Sequence, residues 1–483
     1  MANHTFLWHD YETFGVQPRR DRPAQFAAIR TDAELNEIGA PLMLYCQPAP
    51  DFLPDPQSCL ITGITPQICL ERGIPEHAFA AAIERAMSAT GTIGVGYNTI
   101  RFDDEITRFM FWRNLIDPYG REWQNNCGRW DILDVVRTAY ALRPDGIVWP
   151  QHPDGRPSFR LEDLARVNGL AHESAHDALS DVRATIALAR LIRTHHPKLF
   201  DFCLGLHKKE RAADEIGLPA RKPFLHVTGM IPAERGCIGV VWPLATHPTN
   251  KNEIIVWDLA CDPSELLTLD ADTMRMRMFS KSADLPEGVT RLPIKTIHLN
   301  KSPMVIGSLK TLSPERARHW GLDLDLAMRH AKLAADPALT EKLDGLWRSV
   351  FHRPAQDAND VDEDLYGGFI GSNDRRTLNE LRSMTPEKLG AARPAFQDAR
   401  LEELVFRYRA RNFFDSLNEE EKLRWEDHRA ARLFEGAAGA RTVDALFSEI
   451  DTLSEEVDER GEEILGALYD YAEMIAPARR RQQ

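Results

Sequence analysis

The sequence lacks the features that would assign it to a membrane, secreted or zinc-binding class. No apolar run approaches the roughly 18 residues that a membrane-spanning helix needs. The N-terminal stretch MANHTFLWHDYE carries acids and a histidine where a signal peptide requires basic residues and a longer apolar region. The seven cysteines include no Cys-x-x-Cys pair, which argues against a structural zinc site and against a disulfide framework. We therefore expect a cytoplasmic protein with reduced thiols and no membrane segment.

An excess of basic charge is also missing. The net charge is −14, whereas proteins that hold nucleic acid by charge alone usually carry a basic surface. Any contact with nucleic acid must therefore be local. The 43% hydrophobic and 27% charged residues are typical of soluble globular proteins. A length of 483 residues exceeds one ordinary core, and we expect three domains.

The first part of the chain alternates between strand and helix patterns. Short apolar or alternating runs separated by Pro, Gly and Asp predict strands at TFLWH, AQFAAIRT, PLMLYC and TIGVGYN. Helical periodicity predicts helices at EHAFAAAIERAMSA, DDEITRFMFWRNLI, RWDILDVVRTAYALRP, SFRLEDLARVNG and, finally, from about Ala178. This order indicates an α/β domain, a mixed sheet covered by helices, over residues 1–196.

Two further domains follow. Residues 197–350 contain short strand-like pieces such as IGVVWPLA and EIIVWDLA, which predict a small β barrel or open sheet with a few helices. A polar linker, FHRPAQDANDVDED, precedes helix-forming stretches that continue almost to the C-terminus. We therefore predict an all-helical third domain over residues 353–483.

Two acids in the stretch HDYETFG carry the first chemical signal. Residues i and i+2 of a strand share a face, so Asp10 and Glu12 project together while Tyr11 points the other way. Neighbouring carboxylates repel each other unless a cation lies between them. Oxygen-rich sites of this kind suit Mg²⁺ or Mn²⁺. An isolated Asp-x-Glu is more often a pair of solvated acids, so the interpretation depends on other residues.

Further acids and a histidine follow at two points of the chain. The buried strand TIGVGYN leads into a helix that starts near Asp103, although Asp104 is adjacent and spacing alone does not decide which of them reaches the site. Later, His176 precedes Asp181 by five residues, about 140° around a helix, so the two cannot share one helical face. We expect His176 just before a helix and Asp181 in its first turns, which would place a general base beside a metal ligand.

These motifs carry a family resemblance. Asp-Tyr-Glu, then Asn-x3-Phe-Asp, then His-x4-Asp, in that order, resembles the DEDDh exonucleases, whose catalytic domain has a ribonuclease H-like fold. Nearly the whole chain is similar to the bacterial exodeoxyribonuclease I family, through segments such as DRPAQFAAIRTD, LITGITPQ, ALRPDGI, PSFRLE and YRARNF. The resemblance implies a ribonuclease H-like exonuclease domain, then an SH3-like β domain, then a C-terminal helical domain.

The resemblance also implies a reaction and a catalytic set. It assigns the metal-binding carboxylates to Asp10, Glu12, Asp103 and Asp181, with Asp103 preferred over its neighbour, and the general base to His176. Two Mg²⁺ ions, with Mn²⁺ as an alternative, would be held mainly by the first two acids and the last. The expected reaction is processive 3′→5′ hydrolysis of single-stranded DNA to 5′-mononucleotides by a monomer. The resemblance also implies roles in DNA repair, recombination and mismatch repair.

Several residues are candidates for gripping a single strand. Exposed aromatics beside arginines can stack unpaired bases, although aromatic side chains are also often simply part-buried. In the family, positions along the DNA path match Arg108, Tyr119, Trp123, Arg137 and Arg160, with Arg160 near the catalytic end. We also expect Glu12, Thr13 and Phe14 to contact the 3′ end of the strand from beneath. The arginines of YRARNF, at 407, 409 and 411, either hold phosphates or solvate a helix surface.

A protein partner and two rival functions complete the predictions. Family members dock the acidic C-terminal tail of single-stranded-DNA-binding protein, and Arg143 and Lys222 match basic positions of that surface. Phe202 replaces the expected Tyr there, and Arg143 would alternatively cap a helix. The rivals are an exoribonuclease of the same catalytic class and a nucleic-acid-binding scaffold with a decayed site. The chain length disfavours the first, and retention of the four acids and the histidine disfavours the second.

Overall fold

A computed structural model describes residues 4–170, 177–352 and 360–477. These residues form ten β-strands, which are β1 (Thr5–Thr13), β2 (Pro23–Thr31), β3 (Leu42–Tyr45), β4 (Thr92–Gly96), β5 (Gly128–Asp131), β6 (Phe224–Val227), β7 (Ile238–Thr246), β8 (Glu253–Asp258), β9 (Ile294–His298) and β10 (Met304–Ile306).

The same residues form nineteen α-helices. They are α1 (Pro56–Thr62), α2 (Pro66–Arg72), α3 (Glu76–Met87), α4 (Asp103–Arg113), α5 (Ile132–Leu142), α6 (Leu161–Val167), α7 (Ala178–His195), α8 (Pro197–Gly205), α9 (Lys209–Ile216), α10 (Ala271–Phe279), α11 (Pro314–His319), α12 (Leu324–Ala334), α13 (Pro337–Val350), α14 (Ser372–Arg382), α15 (Pro386–Ala391), α16 (Arg400–Asn412), α17 (Glu419–Glu435), α18 (Val443–Ser454) and α19 (Glu459–Ile475). None of the helices in the described part of the chain has the length and apolarity that crossing a membrane requires.

The chain is organised into two compact units that do not follow the order of the sequence. The first unit combines Met1–Cys127, Glu173–Arg183 and Gln356–Gln483. The second combines Gly128–His172 and Ala184–Ala355. The predicted C-terminal helical domain therefore packs in the same unit as the N-terminal strands.

A mixed sheet positions the acid-bearing strand of the first unit. Its strands run in the order β3-β2-β1-β4, and β2 pairs with β1 antiparallel. The parallel pairing of β1 with β4 runs from Thr5 opposite Thr92 to Trp8 opposite Val95 and goes no further. The last residues of β1 therefore extend beyond the carboxyl end of β4, the sheet edge where α/β proteins usually place their ligands. The strands predicted from the four apolar runs of this unit are confirmed.

The two faces of β1 have different surroundings, as its alternating pattern predicts. Tyr11 lies in an apolar cluster with Phe26 of β2 and Phe79 of α3, and its ring centroid is 4.8 Å from that of Phe26. Its hydroxyl group is 3.0 Å from the Thr107 hydroxyl. The core on this side therefore fixes the strand, and the acids on either side of Tyr11 project to the opposite face.

The C-terminal helices complete a second core around the end of β1. Phe14, the residue directly after β1, is 1% exposed. It belongs to a buried cluster with residues of α17, α18 and α19, including Leu433, Leu446 and Leu465. The segment that follows the acids is thus held by side chains more than 400 positions away in sequence.

The arginines of YRARNF are neither phosphate ligands nor solvated side chains. Arg407 donates to Asp360 at 2.7 Å, Arg409 to Glu421 at 2.7 Å, and Arg411 to Asp51 at 2.7 Å. All three guanidinium groups are nearly buried, so both interpretations offered by the sequence are wrong. Burial by itself would raise the pKa of Asp51, but Arg411, His428 and Arg432 hold it well below its usual range.

The second unit is built on an antiparallel sheet. Its order is β10-β6-β7-β8-β9, and each neighbouring pair is antiparallel. A bulge interrupts the β7–β8 register between Pro243 and Ala245, where the proline nitrogen has no hydrogen to donate. Helix α10 packs against α13, and α12 packs against β7. The predicted β-rich region with appended helices is confirmed.

Candidate active site

Three of the predicted metal-binding acids converge in the first unit. Asp10 and Glu12 leave β1 on one face, and Asp181 lies in the first turn of α7. One carboxylate oxygen from each of the three lies within 4.8 Å of the others. Asp10 and Asp181 are far apart in sequence, and the fold brings them together by placing the start of α7 beside the acids of β1.

The neighbouring acids Asp103 and Asp104 face different surroundings. Asp103 is the first residue of α4, and its Oδ1 accepts a hydrogen bond of 3.1 Å from the backbone N–H of Tyr11. It also raises the pKa of Asp10 and of Glu12, which places its charge at the acid cluster. Asp104 instead accepts from the buried Arg121 at 2.5 Å. The structure therefore brings Asp103 to the cluster and pairs Asp104 elsewhere.

The acid cluster is strongly strained electrostatically. Burial, followed by repulsion from Asp103, Glu12 and Asp181, raises the pKa of Asp10 well above its usual range. Burial, followed by Asp181, Asp103 and Asp177, raises the pKa of Glu12 to about 8. A divalent cation would offset this repulsion, and an all-carboxylate ligand set suits a hard cation. The residues present therefore fit a divalent metal.

A further acid, to which the sequence motifs assign no role, lies directly before α7. Asp177 precedes the helix, and its Oδ2 accepts from the backbone N–H of Ser180 at 3.3 Å. An Asp directly before a helix is a common N-cap, so the sequence contained this signal. His176, the predicted general base, lies outside the described residues.

A second histidine near the cluster is not a base for this site. His9 directly precedes Asp10 but lies on the opposite face of β1, and it is 2% exposed. Burial, with a smaller contribution from Arg121, lowers its pKa to about 4. His9 is therefore a neutral core side chain near pH 7.

The two residues predicted beneath the 3′ end have internal partners. The Thr13 hydroxyl donates to the Gly15 carbonyl at 2.7 Å. The Phe14 ring is buried against the C-terminal helices, so it has no surface available for stacking on a nucleotide. The backbone of this segment, and not the Phe14 ring, borders the site.

The stretch of chain that follows α4 carries two aromatic side chains, Tyr119 and Trp123, which we call the aromatic platform. Trp123 is 67% exposed and follows a short turn of 3-10 helix, Gly120–Glu122. The Arg108 guanidinium lies 5.2 Å from the Tyr119 ring centroid and donates to Glu122 at 2.7 and 2.9 Å. Arg108 is nearly buried by these contacts, so it supports the platform and does not present a free cation.

The other predicted DNA contacts, Arg137 and Arg160, lie in the second unit. Arg137 pairs with Asp134 at 2.6 Å and lies 5.9 Å from the Phe159 ring centroid. Arg160 precedes α6 and is largely exposed, 3.8 Å from Glu162.

The predicted partner-docking residues are also in the second unit. Arg143 and Lys222 are both exposed. Arg143 Nη1 donates to Leu142 O at 2.6 Å, at the last turn of α5, as the capping alternative expects. Arg211 lies 5.8 Å from the ring centroid of Phe202.

Comparison with protein families gives matches over most of the chain. Residues 7–189 match the exonuclease family, residues 207–353 the exonuclease I SH3-like domain, and residues 359–475 the exonuclease I C-terminal domain. Exodeoxyribonuclease I of Escherichia coli K12 is 44% identical over 472 residues, which cover 98% of each chain.

The chain belongs to the exodeoxyribonuclease I family. The family resemblance drawn from the motifs is thereby confirmed, as is the order of an exonuclease domain, an SH3-like domain and a C-terminal domain. The precise limits of the three domains, residues 1–196, 197–350 and 353–483, stay predictions.

Solved structures of the exodeoxyribonuclease I family agree with this assignment. Exonuclease I of Methylocaldum szegediense is 46% identical with a TM-score of 0.93, covering 98% of this chain and 100% of that one. The E. coli enzyme in complex with a dA16 oligonucleotide is 44% identical with a TM-score of 0.91 and the same coverage. Two further structures are 43% identical, and each match covers 98% of this chain and 99% of the other. One is a zinc-bound E. coli complex with single-stranded DNA, with a TM-score of 0.91, and the other is an ExoI/SSB-Ct complex, with a TM-score of 0.90.

Proposed function

We propose that this protein is a 3′→5′ exonuclease that processively degrades single-stranded DNA to 5′-mononucleotides. The observation that carries the proposal is the convergence of Asp10, Glu12 and Asp181 within 4.8 Å, beside Asp103. The E. coli relative crystallised with a dA16 oligonucleotide supports single-stranded DNA as the substrate.

The acids are proposed to hold two Mg²⁺ ions, with Mn²⁺ as an alternative. Asp10, Glu12 and Asp181 offer the ligand oxygens, and the zinc-bound relative supports a divalent ion in the family. Such ions lower the pKa of a bound water and stabilise the leaving oxygen of a phosphodiester. Asp103 is proposed to take part in the same site, with its Oδ1 held by the Tyr11 N–H.

His176 is proposed as the general base. It precedes α7 by two positions, and Asp181 belongs to the first turn of that helix. A histidine with an ordinary pKa near 6.5 can accept the proton of the attacking water close to neutral pH. The position after Asp177 is Ala178, so the tyrosine used by related enzymes has no counterpart.

The strand is proposed to be held mainly by stacking and local positive charge. Trp123 and Tyr119 offer ring faces to unpaired bases, each stack contributing about 1–3 kcal/mol. The Arg108 guanidinium packs against the Tyr119 ring and supports it. The family resemblance implies that Arg137 and Arg160 lie along the DNA path, with Arg160 near its catalytic end. Thr13 and Glu12 are proposed to contact the 3′ end, and burial excludes the Phe14 ring.

A protein partner and a cellular role extend the proposal. The ExoI/SSB-Ct relative supports docking of the C-terminal tail of single-stranded-DNA-binding protein, for which Arg143 and Lys222 are the proposed basic contacts. A monomer acting in the cytoplasm in DNA repair, recombination and mismatch repair is proposed from family membership.

The test is a digestion assay with three substrates. Single-stranded DNA, duplex DNA and RNA, each labelled at the 5′ end, are incubated with the protein in Mg²⁺ or in EDTA, and the products are sized. We expect only single-stranded DNA to be shortened from its 3′ end, and only with Mg²⁺, giving a short 5′-labelled end product with few intermediates. Preferred digestion of RNA would favour the exoribonuclease alternative, and binding without digestion would favour the decayed scaffold.

A further inference from the structure

Two buried hydroxyl groups lie behind the acid cluster and have no role in the function proposed above. Tyr11 belongs to β1, between the two acids that project to the opposite face, and is 5% exposed. Thr107 belongs to α4, one turn after Asp103, and is 0% exposed. The two hydroxyl oxygens are 3.0 Å apart. The elements that carry Asp10, Glu12 and Asp103 are therefore joined by a polar contact inside the core.

The first turn of α4 is attached to Tyr11 at two points. The backbone N–H of Tyr11 donates to Oδ1 of Asp103 at 3.1 Å. The Thr107 hydroxyl donates to the Asp103 carbonyl at 2.8 Å, and the Tyr11 hydroxyl contacts that same threonine. The side chain of Asp103 is thus tied to Tyr11 directly, and its backbone is tied to Tyr11 through Thr107.

Asp103 needs such a restraint because its surroundings repel it. Its charge acts on Asp10 and on Glu12, the two acids on either side of Tyr11. Without a cation between them, neighbouring carboxylates repel each other. A carboxylate that is held in place against this repulsion is ready to bind a metal ion, and groups that orient metal ligands in this way raise metal affinity.

Packing alone does not account for the two hydroxyl groups. The Tyr11 ring lies in an apolar cluster with Phe26 and Phe79, and a phenylalanine would keep these contacts. A valine would fill the place of Thr107 with nearly the same shape. Replacing both partners of a buried hydrogen bond by apolar groups of the same shape is nearly neutral in many proteins. The pair is therefore not needed to fill the core, and its place between two metal-binding elements points to a role in the site.

We propose that the hydroxyl groups of Tyr11 and Thr107 are positioning groups that hold Asp103 at the metal-binding cluster. The inference rests on the function proposed above, because it deepens the assignment of Asp103 to the metal site. Both hydroxyl groups are enclosed in the core, so neither touches the metal or the substrate strand. They act through Asp103 by fixing the start of α4 against β1.

The test measures Mn²⁺ binding by the full-length protein in the absence of DNA, with free Mn²⁺ followed by electron paramagnetic resonance. Tyr11→Phe and Thr107→Val should each weaken binding by about 2- to 12-fold, the equivalent of roughly 0.5–1.5 kcal/mol for one hydrogen bond. Thr107→Ser keeps the hydroxyl group and should bind Mn²⁺ almost as the parent does. The double variant Tyr11→Phe/Thr107→Val leaves no unpaired partner, so it should unfold near the parental temperature and still bind Mn²⁺ more weakly.

A second arm of the test asks whether the effect passes through Asp103. In the Asp103→Ala background, Tyr11→Phe should cause no further loss of Mn²⁺ affinity, because the effects of groups that act through one another are not additive. β1 also carries Asp10 and Glu12, so a general disturbance of the strand would weaken binding equally in both backgrounds. Such an equal loss would overturn the inference.

Tyr471→Phe is the matched control. Tyr471 is a buried tyrosine of the same unit, and its hydroxyl group donates to the Ala49 carbonyl at 3.3 Å. Its loss should affect thermal unfolding but not Mn²⁺ affinity. Parental affinity in Tyr11→Phe and Thr107→Val, or equal losses in Thr107→Val and Thr107→Ser, would overturn the inference, while digestion of single-stranded DNA by the parent would leave the proposed function intact. A parent protein that binds no Mn²⁺ would overturn both proposals.

Discussion

Two adjacent acids at the start of α4 show how far a single position changes the role of a side chain. Asp103 adds its charge to a cluster of repelling carboxylates, whereas Asp104 is neutralised by Arg121 at 2.5 Å. Both side chains are buried. In the metal-free protein, the first carboxylate therefore opposes folding and the second supports it.

Substituting these two acids should change stability in opposite directions. Asp103→Asn should raise the metal-free free energy of unfolding, since relief of one pKa unit of repulsion is worth about 1.4 kcal/mol. Asp104→Asn should lower it by about 3–5 kcal/mol, because Arg121 would lose its buried partner. Thermal and denaturant unfolding in EDTA measure the free energy of unfolding of both variants and of the parent protein. A destabilised Asp103→Asn protein with an unaffected Asp104→Asn protein would reverse the assignment.

The raised pKa of Glu12 predicts that metal binding depends on pH. Its pKa of about 8 means that the side chain carries a proton at pH 7, which a metal must displace. Mg²⁺ affinity should therefore rise with pH up to about 8, by about tenfold per pH unit for each proton released. Calorimetric titration in buffers of different ionisation enthalpy measures affinity and proton release together. Affinity that is constant between pH 6 and 8 would contradict the prediction.

At this scale, the convergence of Asp10, Glu12 and Asp181 could be predicted from the sequence, and the contacts that surround them could not. Asp10 and Glu12 follow from the period of two along a strand, and Asp181 from its place near a helix start. The burial of Phe14 could not be predicted, because its partners lie in α17 to α19 and no local pattern encodes such a distant contact.

The connection between β1 and β2 is the element that links the acids to the C-terminal helices. Arg20 donates to Glu363 at 2.9 Å, to Ala438 O at 3.0 Å and to Gly439 O. At Gly15 in the same loop, an added Cβ would lie 2.1 Å from Asp21 Oδ2, so the Asp21 carboxylate would have to leave the Gln17 N–H from which it accepts. The loop that borders the acid cluster is thus fixed from both sides.

Removing the Arg20 contacts should reduce catalysis more than stability. Arg20→Ala should lower kcat by about ten- to a hundredfold through misplacement of the loop. The cost in unfolding free energy should be about 1 kcal/mol or less, because the ion pair is part-exposed. Single-turnover rates and thermal unfolding give the two quantities.

Two variants complete the Arg20 experiment. Arg20→Lys should recover only part of the rate that Arg20→Ala loses, because an ammonium group cannot make the forked contacts of a guanidinium. Arg85→Ala, at an exposed position of α3, is the control. A parental kcat in Arg20→Ala would show that the loop keeps its position without the arginine.

Elements with a clear period were predictable, and short elements were not. The strands β1 to β4 and the helices α3 and α4 follow from apolar patterns that span several residues. Helices α1 and α2 could not be predicted because each has only seven residues, too few to show a helical period, and begins with a proline. Strand β5 was missed because its four residues run directly into α5.

At the scale of the molecule, the chain returns on itself to build the unit that holds the acid cluster. Three sequence domains were expected, yet the C-terminal helices pack with the N-terminal strands. A buried ion-pair network joins them, with Asp51 from the N-terminal part and Asp362, Arg407 and Arg411 from the C-terminal part. Charge pairs of this kind cannot be inferred from local sequence, where the same arginines suggested a solvated helix face.

The two sets of buried acids predict a stability maximum at mildly acidic pH for the metal-free protein. Asp51 and Asp362 have lowered pKa values, so the stability they contribute is present above their unfolded value of about 3.9 and is lost as the pH falls. Asp10 and Glu12 have raised pKa values, so stability is lost as the pH rises from about 4 towards 8. Unfolding curves across pH in EDTA should fall on both sides of the maximum, and Mg²⁺ should remove the alkaline decline. A metal-free protein whose stability increases up to pH 8 would contradict this.

The central claim is that the acid cluster hydrolyses the terminal phosphodiester of a single strand. The most direct measurement is the single-turnover release of 5′-mononucleotide from the 3′ end of a labelled oligodeoxynucleotide, comparing the parent protein with Asp10→Asn at saturating Mg²⁺. The account predicts mononucleotide release by the parent and a loss of at least about a hundredfold in the variant, typical of removing one group that stabilises the transition state. Parental rates in a folded Asp10→Asn protein would contradict it.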